Sequence, residues 1–426
     1  VKPGMTVMNK SIFWKEVSYM RRYTIELISF FTWLFIFTGY CFSQELSPIT
    51  IVATGNNASG FALFKQIDGK QKDKNIFISP FSIAMAFGMA YEGASGNTAR
   101  EIASVFAFIP DDKDRWNAFS TIYKTLNPDN AKYKLAIANA FWVQQDYPLL
   151  KTYTDILKNY YHSEAYNVDF THDDKRKEAV KKINAWAANN TYDKIREAIT
   201  LDDVKPLTRL ILTNAVYFKA NWLYQFDKNQ TKVDNFYIDS NKKIKTPMMM
   251  QRNVTIKYME NNNIQMIELP YEGKALSMFV ILPKKDIKSI MPLLNDKNFE
   301  SWRQNLIQEE VDVYLPKFKV ECGYMLVEPL IKMGIKDAFN EMKADFSKIT
   351  GGKDLYISKV IHKTFCDVNE EGTEAAAVTA IVMNTKSMVS FEKKIFKADR
   401  PFIYAIVDNN TGVILFLGKM IKPEYK

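Results

Sequence analysis

The sequence predicts an α+β fold with large antiparallel sheets. Helical and strand patterns are mixed through the first half of the 426 residues, and strands dominate from Leu207 onward without regular alternation. Two hairpin signals lie in the strand-rich part. Leu269-Pro270 to Leu282-Pro283 turns at Glu272-Gly273-Lys274, and Asn409-Asn410-Thr411-Gly412 separates two apolar runs. Length alone suggests two or three domains. There is no linker-like stretch, charge block or low-complexity run, and 16 glycines and 15 prolines are modest, so one large domain is expected over residues 44–426.

The N-terminus reads as a targeting segment. Met20-Arg21-Arg22 is a short positive start, with Met5 and Met8 as alternative initiators, and Leu27 to Phe42 is mostly apolar. Cys41 and Ser43 are small residues where a signal peptidase reads, so residues 1–43 are expected to be an extension and signal peptide cleaved after Ser43. The apolar run is shorter than the roughly 20 residues of a membrane span. An uncleaved anchor holding the protein at a surface is the alternative. Secretion is the expected fate. Sequons at Asn57, Asn189, Asn229, Asn253 and Asn409 suit a secreted glycoprotein.

Along the chain, Gly60 to Gln71 reads as an amphipathic helix. Ser79-Pro80 opens a second, with proline in its first turn, and Asn97-Thr98 starts a third. Lys134 to Val143 alternates and then turns apolar, as a half-buried strand does. Asp174 to Asn190 is helical, with Ala179, Ile183, Trp186 and Ala187 on one face. Leu210 to Phe218 suits a central strand. Val311 to Val320 alternates, Tyr324 to Phe339 reads as a helix, and Tyr356 to Asn369 as a strand. Phe402 to Val407 and Val413 to Leu417 flank the last hairpin turn.

Net charge is +9, spread in small clusters such as Lys175-Arg176-Lys177, Lys181-Lys182 and Lys242-Lys243. These are either solvated faces or a site for an acidic polysaccharide. No nucleic-acid motif is present. Nor is there a nucleophile elbow, a P-loop or an H-E-x-x-H, and of the three histidines, His172 lies in a polar stretch beside Asp173. His362 and Cys366 share a strand face and could join Cys322 around a metal, but three ligands make a poor structural zinc site; the other reading is packed strand residues. No enzyme, cofactor or metal is expected.

The segment Glu370-Glu371-Gly372-Thr373-Glu374-Ala375-Ala376-Ala377 stands apart. On composition alone it reads as a surface helix, two glutamates leading into an alanine-rich run. Yet Asp367 to Ala377 resembles the hinge of an inhibitory serpin, and other stretches resemble serpin motifs in the family's order. These are Asn75 to Ile83, Gly93 to Ala99, Ile183 to Thr191, Asn214 to Trp222, Leu269 to Gly273 with Leu276 to Met278, Arg400 to Phe402, and Thr411 to Gly418. The resemblance covers about residues 50 to 426, with Ala220 and Arg400 as minor departures.

The resemblance implies three β-sheets, about nine helices and an exposed reactive loop over about 370–392, which is cleaved by a protease and inserts as a new strand. Starting at Thr373, one face of that strand would carry Thr373, Ala375, Ala377, Thr379, Ile381 and Met383, none charged and none proline. In the family the first hinge glutamate sits about seventeen residues ahead of the cut, which from Glu370 places it between Lys386 and Ser387. A lysine there suits a trypsin-like serine protease; a shift of two would offer Met388 instead. By the same resemblance Ser79, Ser82, Asn214 and His362 form a polar cluster under the central sheet. Trp222, Lys317 and Glu370 mark where the loop first enters, with Lys317 and Glu370 ion-paired. That pairing would bring Cys322 and Cys366 almost opposite each other on adjacent antiparallel strands, with a one-residue mismatch, and thiols are expected rather than a bond. A monomer is expected, and a non-inhibitory serpin acting as a binding or carrier protein is the alternative reading.

Overall fold

Fifteen strands and ten α-helices lie among the described residues, which in this computed structural model are 46–373 and 394–425. The strands are β1 (Ile76–Ile78), β2 (Tyr133–Gln144), β3 (Glu164–Val168), β4 (Leu210–Asn221) and β5 (Lys232–Tyr237). Then come β6 (Lys243–Glu260), β7 (Ile264–Pro270), β8 (Leu276–Pro283), β9 (Ile307–Pro316) and β10 (Phe318–Met325). The last are β11 (Ile357–Val368), β12 (Gly372–Thr373), β13 (Lys394–Lys397), β14 (Phe402–Asp408) and β15 (Ile414–Met420). Pro48–Lys426 form one compact unit; the preceding Val1–Ser47 lies almost wholly outside the described residues. Among those described, no helix is long and apolar enough to cross a membrane.

Two hydrogen-bonded sheets result. One has six strands in the order β10-β11-β12-β4-β2-β3, with β11 also paired to β4, and the other has nine. The expected third sheet is joined to the second through β6. This long strand bulges between Gln251 and Val254, pairing with β5 before the bulge, β7 after it, and β9 on both sides. One core cluster fills the space between the sheets. The outer face of the six-stranded sheet is covered by the helix Asp173–Asn190, whose Ala179, Ile183 and Ala187 are buried against Ile211, Tyr217, Ile361 and Phe365. Trp186, expected on that face, is half-buried and meets Trp142 edge-on at 5.8 Å.

Several boundaries differ from the pattern reading, each for a physical reason. The first helix is Pro48–Lys70, not Gly60 to Gln71. Its N-terminal half looks unhelical because small and polar residues there face inward: Ser59 Oγ donates to the Gly55 carbonyl at 2.7 Å, and Asn56 Nδ2 to that of Ile414 at 3.1 Å. Val311 to Val320 is not one strand. β9 ends at Pro316 and β10 begins at Phe318 in the other sheet, so Lys317 sits at the crossing between sheets. Tyr324 belongs to β10, and the helix after it is only Val327–Met333, stopped by Gly334 at φ 122°. β10 and β11 are adjacent and antiparallel, but Val320 faces Cys366 and Cys322 faces Thr364. The two cysteines therefore lie on one face, offset diagonally rather than opposite, and no disulfide joins them.

The helix Pro80–Gly93 carries part of the candidate site on its first turn. Its other end is fixed by a buried ion pair. Arg115, fully buried, donates Nε to Glu92 at 2.8 Å and a second nitrogen at 3.1 Å, while Tyr161 donates its hydroxyl to the same carboxylate at 2.8 Å. Removing one partner of such a pair strands a charge away from water. Glu92→Ala is expected to destabilise the fold by about 3–5 kcal/mol, read as a lowered thermal unfolding midpoint. A midpoint unchanged from wild type would contradict the pair's structural role.

Candidate functional site

The strand β11 runs to Val368, the chain turns over Asn369 to Glu371, and Gly372-Thr373 re-enters the sheet as β12. Gly372 and Thr373 thus start a strand, where composition alone suggests a surface helix; the alanine-rich part of that reading lies outside the described residues. Asn369 and Gly372 close the turn through backbone bonds of 2.9 and 3.3 Å. β12 is antiparallel to both neighbours, Thr373 lying opposite Val368 and Ala220, and Gly372 opposite Asn221. Glycine is required here by space: a Cβ at 372 would overlap the Ala220 carbonyl oxygen. Thr373 is fully buried on the core-facing side, 2.8 Å from the Tyr271 hydroxyl. Farther along, β4 and β11 are still directly paired in parallel, from Leu210 beside Ile357 to Tyr217 beside Phe365. The sheet is thus split at one end and closed over the rest.

The expected entry residues come together at the split. Lys317 Nζ pairs with Glu370 Oε2 at 2.8 Å, with both side chains largely buried. Trp222 donates Nε1 to the Asn369 carbonyl at 3.0 Å and its backbone N–H to Glu371 at 2.8 Å, and it stacks on Tyr271 at 4.6 Å. Burial alone would raise the Glu370 carboxyl, but Lys317, a backbone N–H and Thr231 outweigh it and hold the group below the usual carboxylate range. Two contacts were not legible in sequence. Lys228 pairs with Glu371, and Thr231 donates to Glu370 at 2.8 Å. Both belong to a loop whose pattern carries no such signal.

The second group lies beneath the closed part. His362, Asn214 and Asn139 form a row across β11, β4 and β2, since Asn214 is in register with both others. Ser79, which caps the helix Pro80–Gly93, donates its N–H to His362 Nε2 at 3.0 Å and its hydroxyl to Leu415 at 2.7 Å. His362 Nδ1 therefore carries the proton and donates to Asn214 Oδ1. Asn214 Nδ2 in turn bonds Ser82 and Asn139. Both imidazole nitrogens are engaged, so His362 has no lone pair for a metal, and among the described residues no cluster of metal-ligating groups occurs. Asn139 was missed, though an asparagine inside the apolar half of β2 was a readable signal.

Glu374, Ala375, Ala376, Ala377, Lys386 and Ser387 lie outside the described residues, as does the 1–43 segment. Of the sequons, Asn189, Asn229 and Asn253 are exposed. Asn57 is half-buried, and its amide nitrogen donates to the Gly412 carbonyl at 2.9 Å. Asn409 is occupied likewise, by Lys274 and Ser277. In the basic cluster, Lys175 pairs with Glu178 and Arg176 with Asp173.

Burial lowers His362 from its ordinary 6.5 to about 3. Protonation would also set an imidazolium N–H against the Ser79 N–H. The unfolded chain takes up the proton near pH 6.5 and the folded chain resists it until about 3. Stability from this group is therefore full above pH 6.5 and declines below it, by up to about 1.4 kcal/mol per pH unit. The thermal midpoint is expected to fall more steeply with acid in wild type than in His362→Gln; parallel curves would exclude this role.

A family model for serpin (serine protease inhibitor) matches residues 54–423. An uncharacterized serpin-like protein of Thermococcus kodakarensis is 42% identical over 376 residues, 88% of this chain and 86% of the relative. A leukocyte elastase inhibitor of Equus caballus is 36% identical over 382 residues, 87% of this chain and 99% of the relative. The structure of human thyroxine-binding globulin complexed with thyroxine superposes with a TM-score of 0.81 at 30% identity, covering 89% of this chain and all of that one. With the split sheet, the hinge turn and these matches agreeing over nearly the whole described chain, the protein belongs to the serpin family.

Proposed function

We propose that this serpin is a secreted suicide inhibitor of a trypsin-like serine protease, cleaved between Lys386 and Ser387. The observation that carries the reading is β12. Two hinge residues, Gly372 and Thr373, already stand between β4 and β11, antiparallel to both, with Thr373 in the core. In this reading the protease serine attacks the Lys386 carbonyl, the amine of Ser387 leaves, and the acyl-enzyme forms. The loop then extends β12 along the β4–β11 seam and carries the protease with it. The alternate residues from Thr373 to Met383 would follow Thr373 onto the core-facing side, and Glu374 the opposite side.

A relative named as an elastase inhibitor favours inhibition, and a structural likeness to a thyroxine-binding globulin favours the second reading, a binding or carrier serpin. The small, uncharged residues Thr373, Ala375 and Ala377 on the face that would enter the sheet favour the first. The exposed lysines of the helix Asp173–Asn190 are the candidate surface for an acidic polysaccharide, through Lys177 and Lys181 rather than the paired Lys175 and Arg176. The apolar segment before Ser43 supports export, with retention at a surface as its variant.

The deciding experiment is incubation with trypsin. An SDS-stable covalent complex and a released peptide beginning at Ser387 are expected, and Lys386→Ala should abolish trypsin inhibition. A cut elsewhere between residues 380 and 390, with trypsin inhibition intact in the variant, would sink the bait assignment; absence of any covalent complex with serine proteases would support the carrier reading.

Thr373→Arg should turn the inhibitor into a substrate. The site of residue 373 holds Tyr271 and apolar atoms, and a guanidinium cannot shed its charge there. β12 would be expelled and insertion slowed, while cleavage at Lys386 continues. The number of inhibitor molecules consumed per protease inactivated should rise several-fold. An unchanged ratio would mean that entry of this residue does not limit trapping.

A further inference from the structure

Far from the split sheet, an open groove of about 920 Å³ lies where three parts of the fold meet. These are the C-terminal turn of the helix Pro48–Lys70, the end of β15, and the short helical segment 287–293 with the turn after β5. Its floor is apolar: Ile238, Ile287, Met291, Pro401 and Ile421. Its rim is cationic: Lys65, Lys72, Lys242 and Lys288, none of which forms an ion pair with another described residue. The acids nearby are largely engaged already. Lys419, 1% exposed, pairs with Asp68 and donates to the Lys72 and Gln71 carbonyls at 2.8 and 3.3 Å, so it also neutralises the negative end of the helix. Asp239 accepts the N–H groups of Asn241 and Lys242 within its own turn, leaving Asp73 exposed at the edge.

The volume falls within the range of ligand clefts, which combine an apolar lining with a few placed polar groups. A half-buried apolar floor under unpaired ammonium groups matches a molecule with one anionic end and an apolar body. A sulfated polysaccharide would meet the lysines but leave the floor uncovered. We propose that this groove binds a long-chain carboxylate, its chain along Ile287, Met291 and Ile421 and its carboxylate against Lys72 and Lys242. No rearrangement of the six-stranded sheet is involved, so occupancy is independent of protease inhibition.

The test is a fluorescence titration of the full chain with cis-parinaric acid. Saturable one-to-one binding is expected. Met291→Trp, which fills the floor, and the double variant Lys72→Glu/Lys242→Glu should each weaken it by roughly tenfold or more, whereas Lys177→Glu should leave it unchanged. Thermal unfolding followed by circular dichroism establishes that each variant is folded; should Met291→Trp fail there, the charge-reversed variant decides. Absence of saturable binding, or binding that both variants retain, would overturn the proposal. So would equal competition by a long-chain alcohol, which lacks the charge, or displacement by a heparin fragment.

Discussion

Two parallel strands that part at one end set the terms for the rest of this molecule. β4 and β11 are bonded to each other for most of their length and to β12 at the split, so the same edges that close the sheet can accept another strand. A parallel pair has no tight turn joining its members, and here the strands come from distant parts of the chain. Separation along this seam therefore need not break a local connection. What opposes it is the direct ladder, the polar row His362, Asn214 and Asn139 beneath, and the helix packed on the outer face.

The two ends of the seam are secured by different chemistry. At the split, paired charges anchor the turn: Lys317 and Lys228 each take one of the adjacent glutamates, 370 and 371. Under the closed part the groups are neutral, and the pattern of donors and acceptors fixes the imidazole tautomer through Ser79. Salt acts mainly on pairs that water reaches, so the half-exposed Lys228 pair is the more screened, while acid acts on the histidine.

Much of this was legible in the sequence because local signals agreed with the fold. Ser79-Pro80 opens its helix, the alternation of β2 and the apolar run of β4 mark their strands, and the Asn409 to Gly412 turn joins β14 to β15. The failures share a cause: long-range contacts overrode local pattern. The start of the first helix is hidden by inward-facing Asn56 and Ser59. The apparent strand from Val311 to Val320 keeps its alternation across Lys317 although the chain changes sheets there. Lys317 and Glu370 were paired by resemblance rather than by any periodicity, and the cysteine offset slipped by one further residue because an ion pair fixes side-chain tips, not backbone register. The contributions of Lys228, Thr231 and Asn139 depend on which loop or strand faces them, which one sequence does not encode locally.

The two residues of β12 also bear on kinetics. Forming ordered structure in a chain is slow chiefly at its first contact, when several dihedrals must be fixed for little bonding, and each later residue adds its bond to an existing template. With Gly372 and Thr373 seated between β11 and β4, that initiating event is already complete in this structure. Strand addition would then be pure propagation, a one-dimensional advance whose rate is set at the moving front by how readily each successive β4–β11 pair yields.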